Sequence, residues 1–402
     1  MKQQAELRYS EKSWAGAHEL YLAAVKLELP AAERRWVEFR VAETDWRSTG
    51  YDGRMRARRV FSRLLEEADD DRVAAEVHEV LGDMEVGENV VSAQTHYGPA
   101  LEYWAAHADV ALARRRYRDI VFGLAVNDWN IVRIERELLV NTIRIVDTPG
   151  DRARARYLLA LRDLRQQKPE WVERGLEQLE LVLREGKTEW YDDALFALAS
   201  QLDHYGSVVV FDNNDLGLRP DYVRAAELYR RLLTESTKGE TPHHARAQQA
   251  LATLESPSLD VAAGTVLPDT EQELALVFRN LDVIHLSIVP VNLTTTGTVI
   301  KDVSGKPVRE WTVVPRKRPQ HAVGAERILL TPRLPAGAYV VMASGGGKHA
   351  RTLLLVTRAN LVVHASGERL HVYVSDAVTG APLPGAHVRI LDEKGAPGKA
   401  RG

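Results

Sequence analysis

The sequence predicts a multidomain fold that is α-helical first and all-β afterwards. Helical hairpin repeats are expected over residues 1–255, a β-sandwich over 256–358 and the opening strands of a second, incomplete sandwich over 359–402. Before Pro257 the apolar residues recur at intervals of three and four, and after it they recur at intervals of two. Seven of the eight tryptophans precede this proline, whereas eleven of the seventeen prolines lie at or after it. The change of period and of composition predicts the domain boundary.

Composition and charge exclude several functional classes. The chain of 402 residues is 45% hydrophobic and 27% charged, as expected of an ordinary globular protein. Residues 1–256 carry a net charge of −8 and residues 257–402 one of +5, which is too small and too dispersed to favour nucleic acid or a membrane surface. Without cysteine there is no disulfide, thiolate metal site or cysteine nucleophile. No apolar run reaches the roughly 18 residues of a membrane span, and the N-terminus lacks the apolar core of a signal peptide.

Short amphipathic helices in series predict the helical array. Thr188, Pro220 and the Thr241–Pro242 pair precede segments of helical period, as capping residues and first-turn prolines do. The small-residue and aromatic spacing typical of helical hairpin repeats occurs at Ala5, Tyr9, Ala15, Ala17, Tyr21, Ala24, Ala225, Ala226 and Tyr229. No strict period of about 34 residues is found across residues 30–215, so the array is tetratricopeptide-like by resemblance. Residues 207–220 are predicted to be a loop, with a short strand as an open alternative.

Strands separated by turns rich in glycine and proline are predicted after residue 257. Leu274, Leu276 and Phe278 alternate with charged or small residues, which is the pattern of a half-buried strand. Further strand segments are 284–291, 338–344, 352–357 and 360–365. Short strands at regular spacing are typical of a β-sandwich.

The stretch RLHVYVSDAVTGAPLPGAHVRIL, residues 369–391, predicts two half-buried strands joined by a long turn. Leu370, Val372 and Val374 share one face of the first strand, and Val388 and Ile390 share one face of the second. A sheet of so few strands has an open edge and a small core. We therefore expect the chain to be a piece of a longer protein.

Three segments resemble the macroglobulin domains of bacterial alpha-2-macroglobulin-like proteins. Residues 255–293 contain a Leu-Pro-Asp step and the Arg279–Asn280 pair inside a predicted strand, and residues 334–344 resemble the strand that closes such a domain. Residues 353–390 contain the turn pattern D-x-x-T-G-x-P-x-x-G-A, which begins at Asp376. Similar turns occur in carboxypeptidase-regulatory-like and other prealbumin-like modules, which remain alternatives. Helical hairpins before the first sandwich are also similar to those of a subset of this family.

The resemblance implies the N-terminal scaffold of a bait-and-trap endopeptidase inhibitor, with proteases as partners and a periplasmic or other extracytoplasmic location. Family members generally carry a signal sequence, so a truncated N-terminus is expected as well. The bait segment and the cysteine-containing thioester lie far downstream in relatives, and no thioester can form within this chain because it has no cysteine. The alternatives are a helical-repeat protein-binding scaffold of the cell envelope without antiprotease activity and, as a third class, an enzyme with a dispersed site.

The glycine-rich segment SGGGKHA, residues 344–350, does not satisfy the spacing of a phosphate loop. Counting back from Gly347–Lys348, Met342 stands where the first glycine belongs, and His349 stands where a hydroxyl residue should meet magnesium. The expected structure is a hairpin turn.

The segment DNNDLG, residues 212–217, resembles the start of a calcium loop. Leu216 occupies the fifth position and Val223 the twelfth, where a bidentate carboxylate should stand. A polar loop is expected instead.

Other candidate sites are also interpreted structurally. His243 and His244 are adjacent, so they point about 100° apart on a helix and cannot form a metal pair; solvated helix-face histidines are expected. The acidic run at residues 66–71 is predicted to end one helix and cap the next. No Gly-x-Ser-x-Gly occurs, and no local sequence pairs a serine with a base.

Aromatic residues in the first segments could fill helical cores or line a peptide groove, and the core interpretation is favoured. They are Tyr9, Trp14, Tyr21, Trp36, Trp46 and Tyr51. The sequence thus predicts no enzyme and no catalytic, cofactor-binding or metal-binding residue. It leaves unidentified the residues that would bind a protein or peptide partner.

Overall fold

The computed structural model describes residues 1–68, 70–125, 128–293, 303, 305–366 and 369–388. Helices predominate up to Glu255, and strands follow from Ser258, so the predicted order of α then β is confirmed. The chain forms two compact units. The first comprises Met1–Asp221 and Arg231–His244, and the second comprises Tyr222–Arg230 and Ala245–Gly402. Within the described residues, no helix combines the length and hydrophobicity that a membrane span requires.

The helices follow one another through short connections. They are α1 (Lys2–Ser10), α2 (Trp14–Val25), α3 (Ala31–Thr49), α4 (Tyr51–Glu67), α5 (Arg72–Asp83), α6 (Val90–Ala106), α7 (Ala111–Leu124), α8 (Asp128–Ile131), α9 (Arg136–Ile145), α10 (Pro149–Leu164), α11 (Pro169–Arg184), α12 (Tyr191–His204), α13 (Tyr222–Glu235) and α14 (His244–Glu255). In the first unit each helix from α1 to α7 packs on the next in sequence, α7 packs on α9, and α9, α10, α11 and α12 again pack in succession.

Side-chain caps explain several helix starts. The Asp71 side chain accepts a hydrogen bond from the backbone N–H of Ala74, so the acidic run does supply the predicted cap of α5. Asn89 caps α6 by accepting from the N–H groups of Val91 and Ser92. Thr148 caps α10 and is followed by a first-turn proline.

Seven polar contacts of the first unit join residues that stand 33 to 37 positions apart in the sequence. Separations of about this size are typical of contacts between successive helical hairpins. The pairs are Tyr9–Glu43, Arg35–Asp71, Arg47–Asp83, Arg54–Glu88, Arg114–Asp147, Arg116–Glu79 and Arg118–Asp151. The spacing is variable, which explains why no strict period is evident in the sequence.

Residues 207–220 are a β-hairpin and not a simple loop. Strand β1 (Ser207–Val210) pairs antiparallel with β2 (Leu216–Arg219). The polar residues of DNNDLG form its turn, in which Asn214 has a positive φ of 70°. The sequence period does not detect this hairpin, because each of its strands has only four residues.

Two sheets form the main part of the second unit. Their strands are β3 (Ser258–Ala262), β4 (Thr265–Val266), β5 (Glu273–Arg279), β6 (Ile284–Val291), β7 (Arg309–Val313), β8 (Gly324–Leu329), β9 (Gly337–Gly345) and β10 (Lys348–Val356). One sheet has the order β4-β10-β9-β6-β7 and is antiparallel except for the β10–β4 pair; the other has the antiparallel order β3-β5-β8.

The two sheets bury apolar residues in one common cluster. Leu274, Leu276 and Phe278 of β5 are buried there, while their neighbours in the strand point outward, as the alternation predicts. Ile284, Leu286 and Ile288 of β6 contribute from the other sheet, together with residues of β9 and β10. Burial of alternate residues from both sheets provides the hydrophobic stabilisation of this unit.

The β9–β10 connection is the predicted hairpin turn at SGGGKHA. Gly345 pairs with Lys348, so Gly346 and Gly347 form a two-residue loop. Both glycines have positive φ, at 52° and 73°, which a type I′ turn requires and which most other residues would resist.

The Arg279–Asn280 pair joins the last helix to the sheets. β5 ends at Arg279, so Asn280 follows the strand and does not lie inside it as predicted. Asn280 has a positive φ of 51°, and its Nδ2 donates to the carbonyl of Leu254 at 2.8 Å. Arg279 Nη1 donates to the carbonyl of Thr253 at 3.0 Å. These bonds satisfy carbonyl groups at the end of α14, which an intrahelical partner cannot reach.

A further hairpin, β11 (Ala359–Ser366) with β12 (Arg369–Asp376), follows the sheets. Asp376 Oδ1 accepts from the N–H groups of Val378 and Thr379, at 3.0 and 2.8 Å, and thereby orders the turn after β12. Pro382 forms a single bridge with Ser375, and Val388 is outside any strand, whereas Ile390 lies outside the described residues. The predicted second strand of this stretch is therefore not present over its described part.

Arg358 lies where the sheets lead into this hairpin. Its Nη1 is 3.2 Å from Asp269 Oδ2 of the Leu-Pro-Asp step, and its Nε is 3.6 Å from Asp376 Oδ2. The carbonyl of Arg358 also accepts from the N–H of Ala377 at 2.7 Å. One arginine thus contacts two aspartates that both belong to the family-like segments.

Candidate partner-binding site on the helical array

Charged side chains lie inside the first unit at positions where apolar residues are usual. Arg40, Glu43 and Glu76 expose 5%, 1% and 1% of their surface. In α3 and in α5 the charged residues stand three and four apart, which places them on one face of each helix. We call the following set the charged layer: Tyr9, Arg40, Glu43, Arg47, Glu76, Glu79, Asp83 and Arg116.

Glu43 is the most connected carboxylate of the charged layer. It accepts hydrogen bonds from Tyr9 Oη at 2.7 Å, Arg40 Nη1 at 2.6 Å and Arg47 Nε at 2.9 Å. The Arg40 guanidinium also lies over the Tyr9 ring, at 4.4 Å from its centroid. These contacts compensate for the loss of water around a buried ion pair and connect α1 to α3.

Two glutamates of α5 extend the charged layer to the next helices. Glu76 Oε2 is 3.1 Å from Arg40 Nη2, which joins α5 to α3. Glu79 accepts from Arg116 Nη1 of α7 at 2.9 Å and from Trp104 Nε1 of α6. The ion pairs of the charged layer therefore link α3, α5 and α7, and the Tyr9 hydrogen bond adds α1.

The two buried carboxyl groups Glu43 and Glu79 differ in protonation. Burial opposes the ionisation of Glu43, but the Arg40 and Arg47 guanidinium groups outweigh it and hold the pKa of this carboxyl below its ordinary value. Burial raises the pKa of Glu79 to about 7, because Arg116 and the Trp104 hydrogen bond compensate only in part. The charge of the layer consequently changes around neutral pH.

A cleft of about 440 Å³ opens onto the charged layer. It is lined by Glu79 and Asp83 of α5 and by Leu112, Arg115, Arg116, Asp119 and Ile120 of α7. Carboxylates and guanidinium groups at the wall of a concave site are suited to hydrogen bonding with a polar peptide.

The sequence did not identify this site, although it contained a signal for it. Arg47 of α3 and Asp83 of α5 face each other and stand 36 residues apart. The signal is the presence of charged residues at core-facing positions of two helices, where the amphipathic period predicts apolar side chains.

The aromatic residues of the first segments have different environments. Tyr21 is fully buried and packs edge-on against Trp36, with 6.0 Å between the ring centroids. Tyr9 and Trp14 also pack edge-on, at 5.1 Å. Tyr51 is 75% exposed at the start of α4, so it contributes nothing to the core. The core interpretation thus holds for the first helices and is wrong for Tyr51.

His243 is not the solvated residue that the sequence predicts. Its ring stacks on Phe196 at 4.6 Å, and its Nε2 is 2.8 Å from Asp193 Oδ1. It precedes α14, which begins at His244, because Thr241 and Pro242 turn the chain before the helix. No three His, Asp or Glu side chains gather at a metal-binding distance anywhere in the described part of the chain.

Comparisons with known proteins identify no family for this chain. No family model matches the sequence, and no curated protein matches it. Among solved structures, native alpha-2-macroglobulin from Escherichia coli, in a structure spanning domains MG0-NIE-MG1, is similar with a TM-score of 0.29 and 19% identity. The match covers 35% of this chain and 52% of that chain, about half of its length.

Proposed function

We propose that this chain is the N-terminal scaffold of an alpha-2-macroglobulin-like protease inhibitor of the bacterial envelope. It would consist of tetratricopeptide-like hairpins, one macroglobulin-like β-sandwich and the beginning of a second. The observation that carries the proposal is the position of Arg358 between Asp269 and Asp376. Both aspartates belong to the segments that resemble macroglobulin domains. Both contact the guanidinium group of Arg358, which lies where the sheets lead into the next hairpin.

The other residues of the resemblance also have defined structural roles. Arg279 and Asn280 hold the end of α14. Asp376 and Thr379 order the turn that follows β12, and Gly380 adopts a positive φ of 72° there. A chain of successive sandwiches would need residues that fix the connection between one element and the next. Each such connection sets the orientation of the following domain.

The chain would act as a frame and not as a catalyst. In the proposed mechanism a protease cuts a bait segment outside these residues, and the successive β-sandwiches then change their arrangement around it. Proteases would be the partners, in the periplasm or elsewhere outside the cytoplasm, and no nucleic acid or cofactor is involved. Any thioester would also lie outside this chain, which contains no cysteine.

The test is to incubate the protein that contains this chain with endoproteases of different specificity. We expect one predominant cut in the protein, outside residues 1–402, together with loss of protease activity. The isolated chain serves as the control and should leave the proteases active. Nonspecific degradation of the whole protein by proteases that stay active would refute the proposal.

A second candidate function is a protein-binding scaffold without antiprotease activity. The cleft at Glu79 and Arg116 favours it, because mixed charges on a concave helical surface suit a polar peptide partner. This scaffold would bind its partner through the isolated chain and would show no protease inhibition. An Arg115→Gln variant should weaken such binding, whereas Arg174→Gln, on α11 and outside the cleft, should not.

A further inference from the structure

A basic cleft lies in the second unit, between the end of β5 and the β7–β8 connection. Its volume is about 500 Å³, within the range of ordinary ligand sites. The lining residues are Phe278, Asn280, Leu281, Asp282 and residues 314–322. This cleft is separate from the charged layer, and its wall includes Asn280, whose side chain also holds the end of α14.

Three consecutive cations, Arg316, Lys317 and Arg318, are exposed at the cleft. Pro315 and Pro319 flank them and restrict the backbone φ on both sides. Asp282 is the single carboxylate among the lining residues, so cationic charge predominates.

The three cationic side chains differ in the hydrogen bonds and ion pairs that they form. Arg318 Nη2 donates to the carbonyl of Ala325 at 3.0 Å and lies 4.0 Å from Glu326 Oε1. The backbone N–H of Arg316 already occupies that same Glu326 oxygen, at 2.9 Å. The side chains of Arg316 and Lys317 have no ion-pair or hydrogen-bond partner among the described residues. Two cationic groups therefore remain available to a ligand.

A buried imidazole provides a second and independent observation. His321 lines the cleft, is 7% exposed, and its Nδ1 has no hydrogen-bond partner in the described part of the chain. A buried polar atom without a partner normally destabilises the folded state. In the tautomer that carries its proton on Nδ1, the imidazole can donate to an anion.

We propose that this cleft is an oxyanion-binding site, with a phosphate group as the ligand. Guanidinium and ammonium groups are the side chains that recognise phosphate, and a group with more than one negative charge matches two unengaged cations better than a single carboxylate does. The ligand would supply the acceptor that His321 lacks.

The first test is calorimetric titration of the whole chain with inorganic tripolyphosphate. Wild-type protein is expected to bind at one site, and the Arg316→Gln/Lys317→Gln variant is expected to bind at least about tenfold more weakly. The matched control is Arg327→Gln/Lys348→Gln, which removes the same charge from exposed positions outside the cleft. Equal weakening in both variants, or no binding by wild type in either this test or the vesicle test below, overturns the proposal.

A second arm distinguishes the source of the phosphate. Vesicles of phosphatidylcholine, with and without phosphatidylglycerol, are sedimented with each protein. Binding to the anionic vesicles that is lost in Arg316→Gln/Lys317→Gln and kept in the control indicates a lipid phosphate; binding of tripolyphosphate alone indicates a soluble one. Retained anionic-vesicle binding by Arg316→Gln/Lys317→Gln contradicts a lipid phosphate at this cleft.

The role of His321 has its own readout. In protein labelled with 15N-histidine, the ring resonance of His321 is assigned by its loss in the His321→Asn variant, in which asparagine tolerates the positive φ of 63°. Saturating tripolyphosphate should shift this resonance in wild type. An unchanged His321 resonance in protein that binds tripolyphosphate would exclude the imidazole from the site.

Discussion

Glu79 differs from the other buried carboxylates of the charged layer because its ionised form is only partly compensated. Arg116 and Trp104 are its polar partners, whereas Glu43 receives hydrogen bonds from three side chains. A carboxyl group that is desolvated without full pairing prefers to keep its proton, and here the pKa rises to about 7. Folding and protonation of Glu79 are therefore linked.

This linkage predicts a pH-dependent effect of Glu79→Gln. The folded pKa lies above the unfolded value, so the stabilising contribution is complete at acidic pH and is lost as the pH rises towards and through 7. Between pH 5 and pH 8, wild type should lose about 2 kcal/mol of unfolding free energy relative to the variant. Urea unfolding at the two pH values measures this difference.

The control for this experiment is Glu102→Gln on α6, where the side chain is exposed. Its unfolding free energy should follow that of wild type at both pH values. If Glu79→Gln also follows wild type between pH 5 and pH 8, the carboxyl is not the desolvated group inferred from its surroundings.

At the scale of elements, the end of α14 depends on Asn280, the residue that follows strand β5. Asn280 adopts a left-handed backbone conformation and donates to the carbonyl of Leu254. Alanine loses the hydrogen bond and also resists the positive φ, whereas glycine loses only the hydrogen bond. The two losses can therefore be separated by comparing two substitutions.

We expect Asn280→Ala to lower the unfolding free energy by about 2 kcal/mol and Asn280→Gly by about 1 kcal/mol. Equilibrium urea unfolding followed by circular dichroism gives both values. Asn360→Ala, on the exposed strand β11, is the control and should change stability by less than about 0.5 kcal/mol. Equal losses for the alanine and glycine variants of Asn280 would show that the backbone conformation carries no cost.

The sequence predicted those helices and strands whose side-chain pattern is visible within the element itself. Strand β5 follows from alternation that is visible in the sequence, and it has the alternating burial that a sheet imposes, whereas β6 alternates only up to Ile288 because Val289 is buried as well. The β1–β2 hairpin was not predictable as such, because its strands have four residues each and their pairing involves backbone groups. Of the strand predicted around Val388, Val388 itself is outside any strand, and Ile390 lies beyond the described residues.

At the scale of the whole molecule, the second compact unit begins earlier than the change of sequence period. It includes Ala245–Gly402 and Tyr222–Arg230, and thus most of α14. Arg230 Nη2 donates to Glu255 Oε1 at 2.6 Å, and Arg279 lies over the Tyr222 ring at 5.4 Å. The domain boundary predicted between residues 255 and 256 remains a prediction, which truncation can test.

A fragment that starts at Ala245 should be more stable than one that starts at Ser256, both ending at Gly402. The shorter fragment lacks the carbonyl groups of Thr253 and Leu254 that accept from Arg279 and Asn280. We expect its thermal midpoint to be several degrees lower, since the loss of about 1–2 kcal/mol has that effect in a domain of this size. Identical midpoints would place α14 outside the folding unit of the sheets.

The sequence by itself determined the order of α then β, the strands β5, β6, β9 and β10 and the glycine turn between β9 and β10, because these depend on side-chain period and local backbone preference. Only the tertiary structure decided that Arg40, Glu43 and Glu76 are buried together and that Arg358 contacts both Asp269 and Asp376. Each of these arrangements joins residues distant in sequence or buries charge against the usual trend. Packing, and not local propensity, provides the partners that make such burial possible.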